Sequence, residues 1–304
     1  FDWRPFLSYR GVIFGMYFFM VLLLVFTYFF APTIRGNRGW LQFGSFQFQP
    51  AEFLKIALII IFARFFSQRH VGIAHVSNIV ISFFYFFIPA IFVAFQPDFG
   101  TMLILFSLWF GFLLVSGIQW RHLAIGFLIF SVLLAGMWVY VLQDYQKDRV
   151  LGIFFPDRDP LGVNYSVIQS KIAIGSAGLF GKGFGQGTQS QLGFLPEAHT
   201  DFIFAAFIEE WGLLMGLLLI IAFFFVVYRI IRIGLLAENN FNRFVCLGAA
   251  ILFSIQFVLN VGSNIGLTPV IGVTFPFLSY GGSSLLTNLL LIGMIQSISS
   301  RRTL

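Results

Sequence analysis

Four polar residues stand together where a long apolar run begins, in the stretch LPEAHTDFIF at 195–204. Pro196 disfavours a helix there, and Glu197, His199 and Asp201 supply two carboxylates and an imidazole. Such groups transfer protons in enzymes when a substrate can reach them. Asp201 alone is more often a helix N-cap, because the helix dipole favours its charged form at this position. The stretch therefore predicts either a capping aspartate or a carboxylate with a functional role.

Two more carboxylates, Glu209 and Glu210, lie inside the apolar run that follows. On a regular helix Glu209 would lie about 12 Å deeper than Asp201 and roughly 80° around the axis. Ionisable groups inside a membrane are costly, and they usually mark function. Adjacent carboxylates cannot both be buried and charged without a partner, so at least one is expected to be neutral or paired with a base.

Lys55 is the basic residue predicted to pair with one of these glutamates. It stands three residues after Glu52, so these two side chains share one helix face. A self-contained Glu52–Lys55 pair that only fixes helix packing is an equally good interpretation. Glu52, Lys55, Glu209 and Glu210 are therefore predicted as intramembrane groups with a structural or a functional role.

A glycine-rich segment at 171–193 combines seven glycines with Lys171 and Lys182. Backbone N–H groups at glycines can approach an anion closely, and lysine adds a positive charge. The pattern matches neither the phosphate-binding loop of ATPases nor the dinucleotide-binding fingerprint. A flexible outer loop is therefore the preferred interpretation, with a phosphate site as the alternative.

For three other stretches we first expect ordinary structural roles. Arg38 stands near Trp40, a residue type that favours the membrane interface. Asp98 lies in a tight turn, where capping is the expected role. The segment 267–284 is rich in proline and glycine, and such backbone survives at membrane depth only against protein or a water-filled cavity. We expect this segment to be partly re-entrant and to wall a groove.

The composition identifies a membrane protein. Of 304 residues, 59% are apolar and 10% are charged, and the mean hydropathy is +0.91; soluble domains carry about 25% charged residues. The net charge of +6 is scattered between apolar runs and forms no patch for nucleic acid. The single cysteine, Cys246, excludes a disulfide framework and a cysteine-rich metal site.

Eight segments predict transmembrane helices, since about 20 mostly apolar residues cross a bilayer. They are 12–30, 51–66, 77–95, 99–118, 123–142, 202–227, 244–265 and 281–300. The second is short and contains three charges, so a helix lying flat on the membrane surface is its alternative. We predict an all-α polytopic membrane protein, with one transmembrane domain over 1–304 and a long extracellular loop at 143–200.

Arginines set the predicted orientation. One set of helix ends carries Arg4, Arg10, Arg64, Arg69, Arg121, Arg229, Arg232, Arg243, Arg301 and Arg302, whereas the opposite short loops carry Arg35 and Arg38. Short cytoplasmic loops are enriched in Lys and Arg, so the first set is predicted to be cytoplasmic. Asp98, Glu197 and Asp201 then lie on the outer face. An outward groove with carboxylates and basic residues, open towards lipid, suits a lipid-linked anionic substrate.

Four stretches carry a specific resemblance to a known family. They are FQPAEFLKIA (48–57), QPDFGT (96–101), QSKIAIGSAGLFGKGFGQGTQSQLGFLPEAHTDFIFA (169–205) and GVTFPFLSYGGSS (272–284). With them the chain resembles the SEDS proteins (shape, elongation, division and sporulation), the bacterial cell-wall glycan polymerases. Two of its sequence motifs, QSKIAIGS and GKG…GTQSQL, are closer to the rod-shape type, RodA, than to the division type, FtsW. The resemblance covers nearly the whole chain and implies a core of ten spans, of which the first two would precede Phe1.

The resemblance implies polymerisation of lipid II, a disaccharide-peptide on an undecaprenyl pyrophosphate carrier, at the outer face of the bacterial plasma membrane during cell elongation. The family's essential aspartate falls on Asp201, which would take the proton from the acceptor sugar's 4-hydroxyl as that oxygen attacks the donor's anomeric carbon. The predicted substrate-binding residues are Arg38, Lys171, Lys182, Glu197, His199 and Ser279. A divalent cation, Mg or Mn, is the candidate cofactor at the pyrophosphate. No metal-ligating residue is predicted, and the implied partner is a class B penicillin-binding protein, a transpeptidase.

The residues by themselves leave two other functions open. A lipid II flippase would use the intramembrane charges Glu52, Lys55, Glu209 and Glu210 to move the substrate across the membrane. A non-catalytic scaffold for the transpeptidase would have no special use for Asp201.

Overall fold

The computed structural model describes residues 3, 9–33, 37–44, 46–69, 76–140, 144–155, 162 and 164–300. Their elements, in chain order, are α1 (Arg10–Phe30), β1 (Leu41–Phe43), β2 (Phe46–Phe48), α2 (Pro50–Gln68), α3 (Val76–Phe95), α4 (Phe99–Val115), α5 (Trp120–Tyr140), α6 (Asp144–Phe154), α7 (Tyr165–Ser176), α8 (Thr188–Gln191), α9 (Ile203–Leu235), α10 (Asn240–Ile265) and α11 (Gly282–Ser300). The two short strands form an antiparallel hairpin that leads into α2. Four arginines of the predicted orientation, Arg4, Arg35, Arg301 and Arg302, lie outside the described residues.

Each predicted span contains a helix, which confirms a polytopic all-α membrane protein. Among the described helices, α1, α3, α9, α10 and α11 are long and apolar enough to cross a membrane, and α4 is a shorter apolar helix. Helix α5 occupies the predicted fifth span up to Tyr140. The sequence predicted these elements well because uninterrupted apolar runs of this length have few other stable forms in lipid.

Helix α2 settles the doubtful second span. It is a 19-residue helix with Pro50 in its first turn, where the missing N–H of proline costs nothing. Leu54, Leu58 and Phe62 are fully buried, and α2 contacts α1, α3, α4 and α11. The helix is therefore surrounded by protein, and the alternative of a helix flat on the membrane surface was wrong. Its charged residues can be tolerated because they face other side chains.

By internal contacts the chain divides into two compact units. Unit 1 comprises Phe1–Ile118, Val226–Ile255 and Gly281–Leu304, and unit 2 comprises Gln119–Phe225 and Gln256–Tyr280. Two of the four boundaries fall within α9 and α10 and the other two between helices, so each unit is built from separate segments of one chain. The single domain over 1–304 stays a prediction.

The segment predicted as a long outer loop, 143–200, contains three helices in its described part: α6, α7 and α8. Helix α7 packs through Ala173 into a core with Leu195, Phe202 and Ala205. This packing fixes α7 against the start of α9, within unit 2. The loop therefore supports the region that precedes α9.

Candidate active site

Asp201 lies in a tight turn immediately before α9 and is half-buried. The backbone carbonyl of Glu197 accepts the N–H groups of Thr200, Asp201 and Phe202 at 3.1, 3.2 and 3.2 Å. Glu197 itself has φ +53°, a left-handed conformation that few residues adopt without such support. The turn therefore holds Asp201 one step outside the helix.

The side-chain cap of α9 comes from another helix. Because α9 begins at Ile203, its third residue is Ala205, and the N–H of Ala205 donates to Oδ1 of Asn264 at 3.0 Å. An N-cap side chain ordinarily accepts this bond from the second or third helical residue. Asn264 thus does for Ala205 what the capping interpretation assigned to Asp201.

Two asparagines of α10 clamp the main chain of Asp201. The amide nitrogens of Asn260 and Asn264 each donate to the backbone carbonyl of Asp201 at 2.9 Å. Both residues are at most 1% exposed, and they lie one helical turn apart on the same face. Buried hydrogen bonds of this kind are costly to lose. Asp201 is therefore positioned through its backbone, which leaves the role of its carboxylate to be set by the surroundings.

The segment between α10 and α11 packs along the same turn. Asn260 also donates to the carbonyl of Val273 at 2.8 Å, and the N–H of Tyr280 donates to the carbonyl of His199 at 2.9 Å. The buried hydroxyl of Ser279 donates to the carbonyl of Thr200 at 2.6 Å and accepts the N–H of Phe275 at 2.8 Å. These hydrogen bonds fix the segment against the turn that holds Asp201, while its partly re-entrant course and its role as the wall of a groove stay predictions.

The predicted substrate-binding residues have different surroundings. His199 is exposed, and Glu197 accepts a 3.0 Å hydrogen bond from the hydroxyl of Thr200. Ser279 uses its hydroxyl within the protein, as above, so its observed role is to hold the turn. Arg38 is exposed in unit 1 and donates to Thr33 at 3.0 Å. Their contacts with substrate stay predictions.

Lys171 lies at the end of α10. A Cβ placed on Gly266, which follows α10 with φ +76°, would lie 2.6 Å from Nζ of Lys171. The preceding residue, Ser170, donates to the carbonyl of Asn264 at 2.8 Å. A positive charge at a helix C-terminus is favourable. Helix α7 thereby supports Asn264, which in turn holds Asp201.

Glu209 is fully enclosed and fully hydrogen-bonded. Its Oε1 accepts from Nζ of Lys182 at 2.8 Å, from the hydroxyl of Thr188 at 3.2 Å and from the N–H of Gln189 at 2.9 Å. Its Oε2 accepts from the N–H of Ser190 at 3.0 Å and from the hydroxyl of Ser190 at 2.9 Å. These contacts fill the acceptor capacity of a carboxylate. Pairing with a base, as expected for at least one of the two glutamates, is confirmed for Glu209.

The base that pairs with Glu209 is Lys182, and the predicted assignment of Lys55 to this role was wrong. Nζ of Lys55 instead lies 2.6 Å from Oε1 of Glu52, and the two side chains are 1% and 9% exposed. The spacing of three residues already allowed this self-contained pair. Glu210 accepts a 2.8 Å hydrogen bond from the amide of Gln191.

The glycine-rich segment is fixed to a break in α9. Gly212 has φ +88° and ψ 169°, which interrupts the helix. The carbonyls of Glu209 and Glu210 then accept the N–H groups of Lys182 and Gly183 at 2.9 and 3.0 Å. In return, the N–H groups of Leu213 and Leu214 donate to the carbonyls of Gly178 and Leu179 at 3.1 and 3.2 Å. The expected flexible loop is therefore a docked element that satisfies the backbone groups freed by the break.

A second buried polar cluster lies in unit 1. The side chain of Asp98 caps α4, as predicted, by accepting from the N–H of Thr101 at 2.9 Å. It also accepts from the amide of Gln49 at 3.2 Å, and the N–H of Gln49 donates to Ser283 at 3.1 Å. Burial raises the pKa of the Asp98 carboxyl above its ordinary value, although the hydrogen bonds from Thr101 act in the opposite direction.

The described residues contain no group of three or more His, Cys, Asp or Glu side chains placed to hold a metal ion. Mg²⁺ usually keeps several water ligands and is held by one or two carboxylates together with substrate phosphates, so a site of this kind needs no such group. The predicted Mg or Mn at the pyrophosphate stays a prediction, and no reaction step is derived through it.

Sequence reasoning did not assign Asn260 and Asn264 to the site. The available signal was their spacing, since polar amides four residues apart share one face of an otherwise apolar helix. Polar side chains inside a membrane segment ordinarily have partners. Their partner, the carbonyl of Asp201, is 59 and 63 residues away in sequence, and no local pattern identifies it.

The fold and the site together define a polytopic all-α membrane protein with a clamped aspartate at the start of a membrane helix. Residues 4–304 match the model of the FtsW/RodA/SpoVE family, described as cell cycle proteins. The chain belongs to this family, which confirms the resemblance drawn from its motifs.

Two relatives show the extent of the similarity. The chain is 38% identical over 294 residues to the peptidoglycan glycosyltransferase MrdB of Escherichia coli (strain K12), covering 97% of this chain and 79% of MrdB. It is 37% identical over 311 residues to the stage V sporulation protein E of Bacillus subtilis (strain 168), covering 98% of this chain and 80% of that protein. The similarity therefore extends over nearly the whole chain.

Solved structures agree with the fold. One, described as "Structural coordination of polymerization and crosslinking by a peptidoglycan synthase complex", aligns with a TM-score of 0.83 and 30% identity over 99% of this chain and 84% of that chain. The rod shape determining protein RodA of Thermus thermophilus aligns with a TM-score of 0.68 and 27% identity, over 96% of this chain and 79% of that chain.

Proposed function

We propose that this protein is a peptidoglycan glycosyltransferase that polymerises lipid II at the outer face of the bacterial plasma membrane, and that Asp201 is its general base. The observation that carries the proposal is the clamp on Asp201, in which two buried asparagines fix the backbone of a half-buried carboxylate. A relative 38% identical to the chain is named for this activity.

In the proposed reaction the carboxylate of Asp201 accepts the proton of the acceptor sugar's 4-hydroxyl. The oxygen forms a bond with the donor's anomeric carbon as the bond to the undecaprenyl pyrophosphate breaks, so the charge of the leaving group stays on its phosphate oxygens. A base held in position contributes about 10²–10⁴-fold to such a step. The clamp supports this role because it keeps the reacting atoms from drifting out of alignment.

Lys171 is the predicted substrate-binding lysine whose charge is not neutralised by a carboxylate of the described residues. It is exposed, and within the described residues it forms no ion pair with a carboxylate. Lys182, by contrast, is paired with Glu209, so its main contribution is to fix the glycine-rich segment. We therefore assign contact with the pyrophosphate to Lys171, with Arg38 as a further candidate, and a supporting role to Lys182.

The proposed partner is a class B penicillin-binding protein that crosslinks the new strands during cell elongation, which places the protein in cell-wall synthesis and cell shape. A solved structure 30% identical to this chain is described as a complex that polymerises and crosslinks. The positive-inside distribution of arginines supports an extracytoplasmic position for Asp201, where such a partner would act.

The test is glycan-strand synthesis from purified lipid II by the protein with its partner. Asp201→Asn keeps the shape of the side chain and removes its basicity, so polymer formation is expected to fall by about 10²–10⁴-fold. Glu210→Gln is the matched control, since it changes a half-buried carboxylate of α9 whose partner is the neutral amide of Gln191. Undiminished polymer from Asp201→Asn would overturn the proposal; partner binding must persist in the variant, as measured by co-purification.

The flippase alternative rests on intramembrane charges. Each of these charges has a local partner: Glu52 with Lys55, Glu209 with Lys182, and Glu210 with Gln191. These pairings support structural roles. Movement of labelled lipid across liposomes should therefore not depend on Lys55 or Glu209 in folded variants, and loss of transport in a folded Lys55→Met variant would favour the flippase.

A further inference from the structure

A cavity in unit 1 is lined by positive charge at its mouth and by apolar side chains behind it. Its volume is about 510 Å³, and it lies where the first residue of α1 meets the last turn of α2. Arg10, Arg64 and Arg69 line it together with Gln68. None of these residues takes part in the proposed glycosyl transfer.

The three arginines have no carboxylate partner within the described residues, whose ion pairs involve Lys55, Lys147 and Lys182. Arg69 donates to the amide oxygen of Asn78 and lies over the ring of Phe65, 4.6 Å from its centroid. With the Gln68 amide oriented to satisfy its neighbours, its oxygen accepts from Nε of Arg64 at 3.2 Å. Neutral partners of this kind orient guanidinium groups without cancelling their charge. The cavity therefore concentrates uncompensated positive charge.

The back of the cavity is apolar. Ile13 and Ile61 line it and are 1% and 2% exposed, and Phe65 is also buried. Tyr85 completes this wall, with its ring centroid 5.8 Å from that of Phe65. A free inorganic anion has no use for such a wall, whereas a molecule with a phosphate group and a hydrocarbon chain fits both parts.

The position of the cavity along the helices agrees with the same ligand. Arg10, Arg64 and Arg69 belong to the arginine-rich helix ends that the positive-inside rule assigns to the cytoplasmic leaflet. That leaflet has a negative surface potential from its anionic lipids, and basic pockets between membrane helices on this side bind anionic headgroups. Arginine suits this role because its planar guanidinium group binds a phosphate through two parallel hydrogen bonds.

We propose that this cavity binds the phosphate headgroup of an anionic phospholipid of the cytoplasmic leaflet. Arg64 is half-buried, whereas Arg10 and Arg69 are exposed, and it forms the innermost cationic contact. The headgroup supplies the negative charge that the described residues do not supply there, and the start of the acyl chain covers the apolar wall. The lipid would thereby join the ends of α1 and α2.

The experiment is native mass spectrometry of the full chain released from vesicles of phosphatidylglycerol or phosphatidylcholine. The wild-type protein should retain phosphatidylglycerol selectively, and each arginine removed should weaken retention about fivefold. The variants are Arg64→Gln alone and together with Arg10→Gln and Arg69→Gln; the single variant carries the test if the triple variant does not fold. Arg229→Gln is the matched control, since it removes an exposed arginine of the same face outside the cavity.

Three results would overturn the proposal. The first is retention of phosphatidylglycerol by Arg64→Gln at the wild-type level, because the innermost arginine would then contribute nothing to binding. The second is an equal loss in Arg229→Gln, because the charge effect would then be nonspecific. The third is displacement of the bound lipid by millimolar inorganic phosphate alone, which would identify a small-anion site. Selective loss in the cavity variants, with the control unchanged and phosphate ineffective, would support it.

Discussion

The side-chain amide of Asn264 joins the backbone carbonyl of Asp201 to the N–H of Ala205, at 2.9 and 3.0 Å. One buried side chain therefore both fixes the aspartate and caps the helix that follows it. The same side chain holds the site and caps the membrane helix. A substitution at Asn264 can therefore change both activity and stability, and experiments must separate the two effects.

Changing Asn264 should lower activity through the position of Asp201. Asn264→Asp keeps an acceptor for Ala205 but loses the amide that donates to Asp201, and a displacement of about 1 Å can cost roughly 10²-fold in rate. Polymerisation kinetics should show a lower kcat with little change in KM. In an Asp201→Asn background the same substitution should have almost no further effect on rate. A full 10²-fold loss in that background would contradict the positioning role.

The pair of Lys182 and Glu209 should behave as a coupled unit. Glu209→Gln leaves Lys182 without its counter-charge, and breaking a buried pair costs about 3–5 kcal/mol. Because the Lys182 side chain is 25% exposed, solvent reduces this loss, and we expect the lower end of the range. Thermal unfolding in detergent measures it.

Two controls make the coupling specific. The double variant Lys182→Met/Glu209→Gln should be less destabilised than the sum of its single changes, and additive losses would exclude the pairing. Glu210→Gln should change stability by less than about 1 kcal/mol, because its partner Gln191 is neutral and exposed.

The break at Gly212 should not tolerate a side chain. A Cβ there would lie 2.3 Å from the carbonyl oxygen of Leu179, and the residue has φ +88°. Gly212→Ala should therefore separate the glycine-rich segment from α9 and strongly destabilise the protein. Gly175→Ala in α7 is the matched control, since no atom lies within 4 Å of its added Cβ, and it should be neutral or stabilising by roughly 0.5–1 kcal/mol. Similar stability of the two variants would contradict the docked arrangement.

The raised pKa of the Asp98 carboxyl predicts that the free energy of unfolding depends on pH. Its raised pKa means that the folded protein binds this proton more tightly than the unfolded chain does. The free energy of unfolding should therefore decrease as pH rises from the ordinary aspartate pKa through the raised one. Asp98→Asn keeps a side-chain acceptor for Thr101 and should remove this dependence, whereas Asp98→Ala also loses the cap, at about 1 kcal/mol. An unchanged pH profile in Asp98→Asn would refute this assignment.

Much of the fold could be predicted because few backbone structures are stable inside a lipid bilayer. The apolar run at 12–30 corresponds to α1, Arg10–Phe30, and Asp98 caps α4 as its local sequence indicated. Both results depend on interactions within a few residues. The same is true of Glu52 and Lys55, which pair at the spacing of three residues.

The contacts that build the site could not be predicted in the same way. Gly212 interrupts α9 because the segment Gly178–Gly183 supplies partners for its free backbone groups, and an apolar run containing glycine is ordinarily read as continuous helix. Lys182 reaches Glu209 across 27 residues. Charge alone made Lys55 an equally reasonable partner, since periodicity carries no information on such long-range contacts.

The most direct test of the account is the side of the membrane from which position 201 is reached. A single cysteine is placed by Asp201→Cys in a Cys246→Ala background, which removes the buried native thiol. A membrane-impermeant maleimide is then applied to spheroplasts and to inverted vesicles, with Arg229→Cys as the control expected to react from the cytoplasmic side. The account predicts that Asp201→Cys is labelled in spheroplasts. Labelling in inverted vesicles alone would contradict it, because the carboxylate would then face away from the proposed site of strand synthesis.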